Sequence, residues 1–265
     1  MVIDIHHHLL WKLDDGSDSL ETSLAMAQMA SDQGITHIVA TSHASTHWIF
    51  QPNAVAAKAA ELRTLLAAEG IQLTIGTGCD FHISYDNLTD LRMNPRKYSI
   101  NGGGYLLIEL PDYALPINLP ETLYEMQLLG LTPILTHPER NPTLQADPNR
   151  MIEWLRGGML IQVTSASLLG KFGRVAEKLS HRLLADDWVH FIATDAHNVT
   201  SRPPYLRESY ETVARKYGKA TATRLFVENP LAAFENRDLG PQPEARHVFD
   251  AYEDNRSWLQ KMFRR

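Results

Sequence analysis

The chain has 265 residues, 44% of them hydrophobic, with 25 Lys and Arg against 31 Asp and Glu and a formal net charge of −6. That is material for one large core, and the mild acidity supplies no long-range attraction for nucleic acid or an anionic membrane, so neither is expected as a partner. No apolar run approaches the ~18 residues of a membrane span, Asp4 and three histidines interrupt the first apolar stretch where a signal peptide needs its core, and the single Cys79 can form no intramolecular disulfide, which together predict a cytoplasmic address.

VIDI at 2–5 predicts the first buried strand, which runs into His6 and His8, with Asp15 following in the loop LDDG. LETSLAMAQMASDQG has helical spacing, and ITHIVAT at 35–41 is a second strand ending at Ser42-His43. The helical PNAVAAKAAELRTLLAAEG leads to a third strand, IQLTIGTG at 71–78, which runs towards Asp80. YLLIEL at 105–110 is a fourth and contains Glu109 near its end. Then come a helix LPETLYEMQLLG, a fifth strand TPILT at 132–136 ending at His137, a helix NRMIEWLRGG and a sixth strand MLIQV at 159–163. The helix RVAEKLSHRLLADD precedes the seventh strand, VHFIATD at 189–195, which delivers Asp195 and, two residues on, His197. Short apolar runs of this kind read as buried parallel strands, and the closing glycines stand where helix C′ residues belong.

Alternation of strand and helix without hairpin signals predicts crossover connections and a parallel sheet. A barrel related to the eight-stranded (β/α) type is the favoured fold. A doubly wound open sheet is its rival, because periodicity does not decide closure. After Asn229-Pro230 the pattern changes, so residues 236–265 are read as an extension of the same domain. Within it VFDAYEDNRSWLQKMF predicts a helix docked on the barrel, or a contact for a partner, with Phe249, Tyr252, Leu259 and Phe263 on one face.

Parallel α/β folds build their sites at the carboxyl ends of the strands, and six of the seven predicted strands end in a metal-ligand side chain. Alternate residues of a strand point the same way, so His6 and His8 can serve one ion while His7 packs behind them, and Asp195 and His197 form a second such pair. Imidazole and carboxylate without thiolate suit Zn, Mn, Fe or similar divalent ions. Carboxylates also bridge, so the nine candidates His6, His8, Asp15, His43, Asp80, Glu109, His137, Asp195 and His197 would hold more than one metal. Of the remaining histidines, His37 and His190 lie near strand starts and read as structural, His181 and His247 as solvated. His47 and His82 lie on the active rim, open between substrate contact and solvated side chain. Arg140 in THPER and Arg202 in DAHNVTSRPP leave the same rim just past presumed ligands, and guanidinium is the natural fork for a phosphoryl group.

Other chemistries fail on the residues. A cysteine phosphatase needs an arginine six residues beyond its cysteine, where Tyr85 stands, and Cys79 reads as a small buried filler. NGGGY at 101–105 precedes a strand instead of opening a helix, and GKF at 170–172 lacks the rest of a phosphate loop.

The series DIHHH, LDDG, TSH, GCD, IEL, THPER and TDAHN with SRPP resembles the PHP (polymerase and histidinol phosphatase) superfamily over about residues 1–235. Within it, the pattern is most similar to the bacterial metal-dependent protein-tyrosine phosphatases of capsule and exopolysaccharide loci. The resemblance implies a distorted seven-stranded (β/α) TIM-like barrel with three divalent ions per chain, Mn or Fe with Zn as the alternative. Carried over by motif, His6, His8, Glu109 and Asp195 would take one ion; Glu109, Asp80 and His137 a second; Asp15, His43 and His197 a third. Arg140 and Arg202 match the phosphate-binding arginines. Asp80 departs from the pattern, since close relatives usually show glutamate there. The activity implied is hydrolysis of phosphotyrosyl protein, a bacterial tyrosine kinase of a polysaccharide locus among the partners, by attack of a hydroxide held on the ions. The rival readings are a related hydrolase of small phosphomonoesters or organophosphate esters, and a metal-binding regulatory module without turnover, against which the intact ligand set argues.

Overall fold

Each of the seven apolar runs becomes a strand, and together they form one parallel sheet in the order β1-β2-β3-β4-β5-β6-β7 in a computed structural model that describes residues 1–111 and 115–248. The strands are β1 (Val2–His7), β2 (Ile35–Ala44), β3 (Thr74–His82), β4 (Tyr105–Glu109), β5 (Thr132–Thr136), β6 (Leu160–Thr164) and β7 (Phe191–Ala193). Between and after them lie α1 (Leu20–Asp32), α2 (Pro52–Ala68), α3 (Tyr85–Met93), α4 (Leu119–Leu128), α5 (Pro142–Ala146), α6 (Met151–Arg156), α7 (Ser165–Leu168), α8 (Gly173–Ala185), α9 (Arg207–Tyr217), α10 (Lys219–Thr223) and α11 (Asn229–Phe234), with a π-helical turn at Arg224–Glu228. The sheet curls until its ends meet: the Asp195 amide donates to the His6 carbonyl at 2.8 Å, and the His8 amide to the Ala196 carbonyl at 2.9 Å. The open doubly wound sheet is thereby excluded, and the fold is a nearly closed seven-stranded α/β barrel of TIM type. The reading of 249–263 as a docked helix lies outside the described residues.

Two apolar layers follow from the period of two. Inside the barrel Ile3, Ile5, Val39, Leu107, Ile134 and Phe191 pack together, with Ala233 and Phe234 of α11 closing the amino-terminal end. Between barrel and helices sits the larger layer, to which Ile38, Leu106, Leu135, Ile161, Val163 and Ile192 contribute the opposite strand faces. Residues 236–248 run back along the barrel: Trp188 donates its Nε1 to the Arg246 carbonyl at 2.8 Å, and Val248 is buried.

β1 breaks its own alternation. Asp4 pairs with Ile38 and His7 with Ala40, so three steps on β1 match two on β2 and one residue bulges. Without that extra residue, the parity that points Ile3 and Ile5 inwards would point His7 inwards as well. With it, His6 and His8 turn into the barrel mouth, which is how bulges re-aim side chains at functional sites. The amides the bulge displaces are taken by side chains: the His7 N–H donates to Thr41 Oγ1 at 2.9 Å, and that of His6 leans on Asp4 Oδ1 at 3.4 Å.

Candidate metal centre

All nine ligand candidates converge at the carboxyl end of the barrel. His6 Nε2 lies 3.3 Å from His8 Nε2, 3.3 Å from Asp195 Oδ1 and 3.4 Å from Asp80 Oδ2. His43 Nδ1 lies 3.4 Å from Asp80 Oδ2 and 3.6 Å from Glu109 Oε2, and His137 Nε2 stands 3.6 Å from Glu109 Oε1. Asp15 Oδ1 bridges the outer edge, 3.4 Å from His43 Nε2 and 3.6 Å from His197 Nε2. Four groups of ligand atoms result, each within 4.8 Å of one another: His8-Asp15-His43-His197, His6-His8-Asp80, His6-His137-Asp195 and His43-Asp80-Glu109. The outermost group unites the three residues matched by motif to a third ion and adds His8. Glu109, matched by motif to both the first and the second ion, groups with Asp80 of the second set and with His43, and not with His6 and His8.

The donor set fits divalent cations on three counts. Nitrogen-to-oxygen separations of 3.3–3.6 Å are long for hydrogen bonds, but donors set tetrahedrally about 2.1 Å from an ion would stand about 3.4 Å apart. Among the described residues, His43 Nδ1, Asp80 Oδ2 and His197 Nε2 are buried without a hydrogen-bond partner, a costly arrangement for three such atoms in one cluster. The local electrostatics calls for positive charge: burial by itself would lower these imidazoles, yet Asp80 and Asp195 raise His6 to about 9, and Asp15, Asp80 and Glu109 raise His43 to about 10.

Residues behind the donors orient them. Asp14, not its neighbour Asp15, stands 2.8 Å from His8 Nδ1 and accepts the amides of Gly16 at 2.9 Å and His43 at 3.0 Å, so one carboxylate ties β1, β2 and the LDDG loop together. Gly16 is fixed by crowding, since a Cβ there would meet the His8 carbonyl oxygen at 2.5 Å. Gln162 Oε1 lies 2.9 Å from His6 Nδ1, and Thr136 Oγ1 donates to Asp80 Oδ1 at 3.3 Å. His137 and Asp195, one and two residues past the ends of β5 and β7, have left-handed backbones, φ 35° and 53°. Such conformations cost of order 1 kcal/mol or more for a side-chain-bearing residue and concentrate at functional sites. Asp14 and Gln162 were missed from sequence. The visible signal for Gln162 was one amide inside the apolar run MLIQV, and for Asp14 the doubled acid of LDDG.

Arg140 and Arg202 meet at a single atom, each donating to Asp195 Oδ2. Burial would raise the Asp195 carboxyl, but His6, Arg202, His8 and Arg140 hold it well below the usual carboxylate range. The turn carrying Arg140 is anchored by Glu139, whose Oε1 accepts the Thr164 amide at 3.0 Å and the Ser167 hydroxyl at 2.7 Å. Of the two rim histidines left open, His82 stands 3.5 Å from Glu109 Oε2, whereas His47 is exposed. His181 is corrected from solvated to bonded, its Nδ1 lying 2.9 Å from the Tyr217 hydroxyl. The apolar stretch Trp48-Ile49-Phe50 divides: Phe50 packs on Tyr98, while Trp48 and Ile49 are exposed. Cys79 is fully buried, and burial pushes its thiol well up, which removes it as a nucleophile.

A family model described as "Capsular polysaccharide synthesis, CpsB/CapC" matches residues 2–235. The tyrosine-protein phosphatase YwqE of Bacillus subtilis (strain 168) is 33% identical over 243 residues, which are 91% of this chain and 95% of YwqE. The tyrosine-protein phosphatase CpsB of Streptococcus pneumoniae is 31% identical, covering 86% of this chain and 96% of CpsB. A crystal structure from work on YwqE and CpsB, described as "unique metal-dependent tyrosine phosphatases", superposes with a TM-score of 0.84 at 34% identity over 92% of this chain and 100% of that one. A β-aspartyl dipeptidase of Fervidobacterium islandicum shares the fold alone, with a TM-score of 0.56 at 17% identity.

Proposed function

Since this chain belongs to the CpsB/CapC family of capsular polysaccharide synthesis, we propose that it is a metal-dependent tyrosine-protein phosphatase. The observation that carries the reading is the convergence of Arg140 and Arg202 on one oxygen at the edge of the imidazole–carboxylate cluster. Two guanidinium groups aimed at a common point form a fork for the oxygens of a phosphoryl dianion.

His6, His8, Glu109 and Asp195 would hold one ion, Glu109, Asp80 and His137 a second, and Asp15, His43 and His197 a third; Mn or Fe suits this donor set, with Zn the alternative. When bound, divalent cations supply an acidified water and neutralise the phosphoryl oxygens. Arg140 and Arg202 bind and orient the phosphoryl group and strengthen their bonds as its charge develops. A phenolate leaving group, with a pKa of about 10, needs little protonation, so the site requires no dedicated acid. We assign the catalytic barrel to residues 1–235, with 236–265 as an extension of the same domain, working in the cytoplasm on phosphotyrosyl proteins that include a bacterial tyrosine kinase of a polysaccharide locus. No helix among the described residues is long and apolar enough to cross a membrane, which is compatible with that address.

The test compares kcat/KM of wild type, Arg140→Ala and Arg202→Ala on a phosphotyrosyl peptide and a neutral aryl phosphotriester. Each arginine lost should cost roughly 2–4 kcal/mol on the dianionic peptide and far less on the triester. A wild type that prefers the triester, with the arginine variants retaining that activity, overturns the phosphotyrosine assignment. In a second measurement, thorough chelation should abolish activity and the purified protein should carry more than one equivalent of divalent ion; full activity without metal would refute the metal dependence.

A further inference from the structure

Beside the arginine pair lies a cavity of about 360 Å³ that the metal cluster does not use. Its inner wall is Thr194 and Arg202, and its sides are Ala166 of α7, Leu169 and Phe172 of the loop that follows, and Tyr205. Phe172 also supports the arginine fork, since the Arg140 guanidinium carbon sits 4.5 Å from the centre of its ring. Arg202 of the fork therefore lines the cavity, and the Arg140 guanidinium lies over an aromatic ring that lines it. Anything bound to the fork through a phosphoryl oxygen and extending outwards on this side meets apolar and aromatic surface.

The walls are held in advance of any ligand. Asn198 Oδ1 accepts the amides of Thr200, Ser201 and Arg202 at 3.0, 2.8 and 3.1 Å and so fixes the loop that bears Arg202. The Ser165 hydroxyl donates to the Tyr205 carbonyl at 2.9 Å, and Ser167 ties α7 to Glu139 beside Arg140. The phosphoryl fork and the aromatic walls thus belong to one hydrogen-bonded unit. Tyr205 itself is 47% exposed, so it stands at the solvent edge of the cavity it lines. Preformed apolar walls around a few convergent polar groups are the general form of a small-ligand site.

We propose that this cavity receives the aromatic ring of the phosphotyrosyl side chain, so that Tyr205, Leu169 and Phe172 select aryl over alkyl phosphomonoesters. The inference rests on the phosphatase reading and adds the residues that choose the leaving group. The ring enters between Phe172 and Tyr205, where edge-to-face contacts are available to an aryl ester and absent for a seryl one.

The experiment uses the full-length, metal-loaded protein and two peptides of identical flanks, one phosphotyrosyl and one phosphoseryl. It compares wild type with Tyr205→Ala, which opens the cavity, Ala166→Phe, which fills it, and Tyr205→Phe, which keeps the ring. In parallel, calorimetry measures Kd for phenylphosphonate and methylphosphonate. The expected result is a fall of about tenfold in the phosphotyrosyl-to-phosphoseryl ratio of kcat/KM in Tyr205→Ala and Ala166→Phe. A matching fall should appear in the preference for phenylphosphonate, and Tyr205→Phe should restore both. Hydrolysis by a wild type whose two ratios are unaffected by Tyr205→Ala and by Ala166→Phe, with each variant folded by circular dichroism, overturns the ring pocket and leaves the phosphatase reading intact. A metal-loaded wild type that hydrolyses neither peptide overturns both.

Discussion

At the scale of single residues, the site depends on which of two adjacent carboxylates does what. Asp15 presents an oxygen to His43 and His197, while Asp14 faces the opposite way, onto His8 Nδ1 and two backbone amides. A carboxylate behind an imidazole fixes its tautomer, raises its basicity and aims its other nitrogen at the ion. Asp14→Asn keeps one acceptor but turns an amide NH2 towards a donor. We expect metal affinity to fall about 10–100-fold with little change in fold, measured by competition against a chelating indicator. Affinity equal to wild type would mean that His8 is not oriented through Asp14.

At the scale of elements, the strands followed apolar composition and the helices followed capping and spacing, with departures where few apolar residues mark an element. Gly34, Gly70 and Gly130 take positive φ just past α1, α2 and α4, as their positions in the sequence foretold. α3, reading YDNLTDLRM, buries only Leu91 and gave no periodic signal. β7 is shorter than its apolar run because the Thr194 amide turns aside to Asp4. The start of β7 carries a pH-sensitive joint, where His190 Nδ1 accepts the Ile161 amide at 3.1 Å and so must be unprotonated there. Burial, aided by Arg224, pushes His190 down to about 4. The unfolded chain therefore takes up this proton at higher pH than the folded one, so the contribution is complete above about pH 6.5 and is lost as pH falls towards 4. It amounts to about 2 kcal/mol lost by pH 5. Urea titrations at pH 7.5 and 5 should show that His190→Asn, which offers an amide oxygen in the same place, loses less stability over this interval than wild type. Equal losses would assign the acid sensitivity elsewhere.

At the scale of the molecule, the barrel is closed by a short seam and by its charged centre. Between β1 and β7, Asp4 acts as a side-chain rung: its carboxylate accepts the Thr194 amide at 3.0 Å and the Thr194 hydroxyl, and Asp4 is completely buried. Asp4→Ala leaves both donors in the interior without an acceptor. At about 1–3 kcal/mol for each unsatisfied group, the urea midpoint should fall clearly, whereas a midpoint within error of wild type would show that the two backbone hydrogen bonds close the seam alone.

The sequence by itself determined the parallel α/β class, the seven strands, and which polar side chains, nine ligand candidates and two arginines, stand at their carboxyl ends. These depend on local quantities: apolar run length, residue type and the position of a polar side chain at the end of a run. Closure required the tertiary structure, because a strand's composition is the same in an open sheet and in a barrel, and only the meeting of β1 with β7 distinguishes them. The inward turn of His6 and His8 was decided there too, since it depends on one bulged residue set by the register of β1 against β2, with the displaced His7 amide accepted by Thr41, 34 residues away. So were the grouping of the donors and the supporting roles of Asp14 and Gln162. Those depend on distances between strands that touch only after the sheet has curled, and no spacing along the chain encodes them.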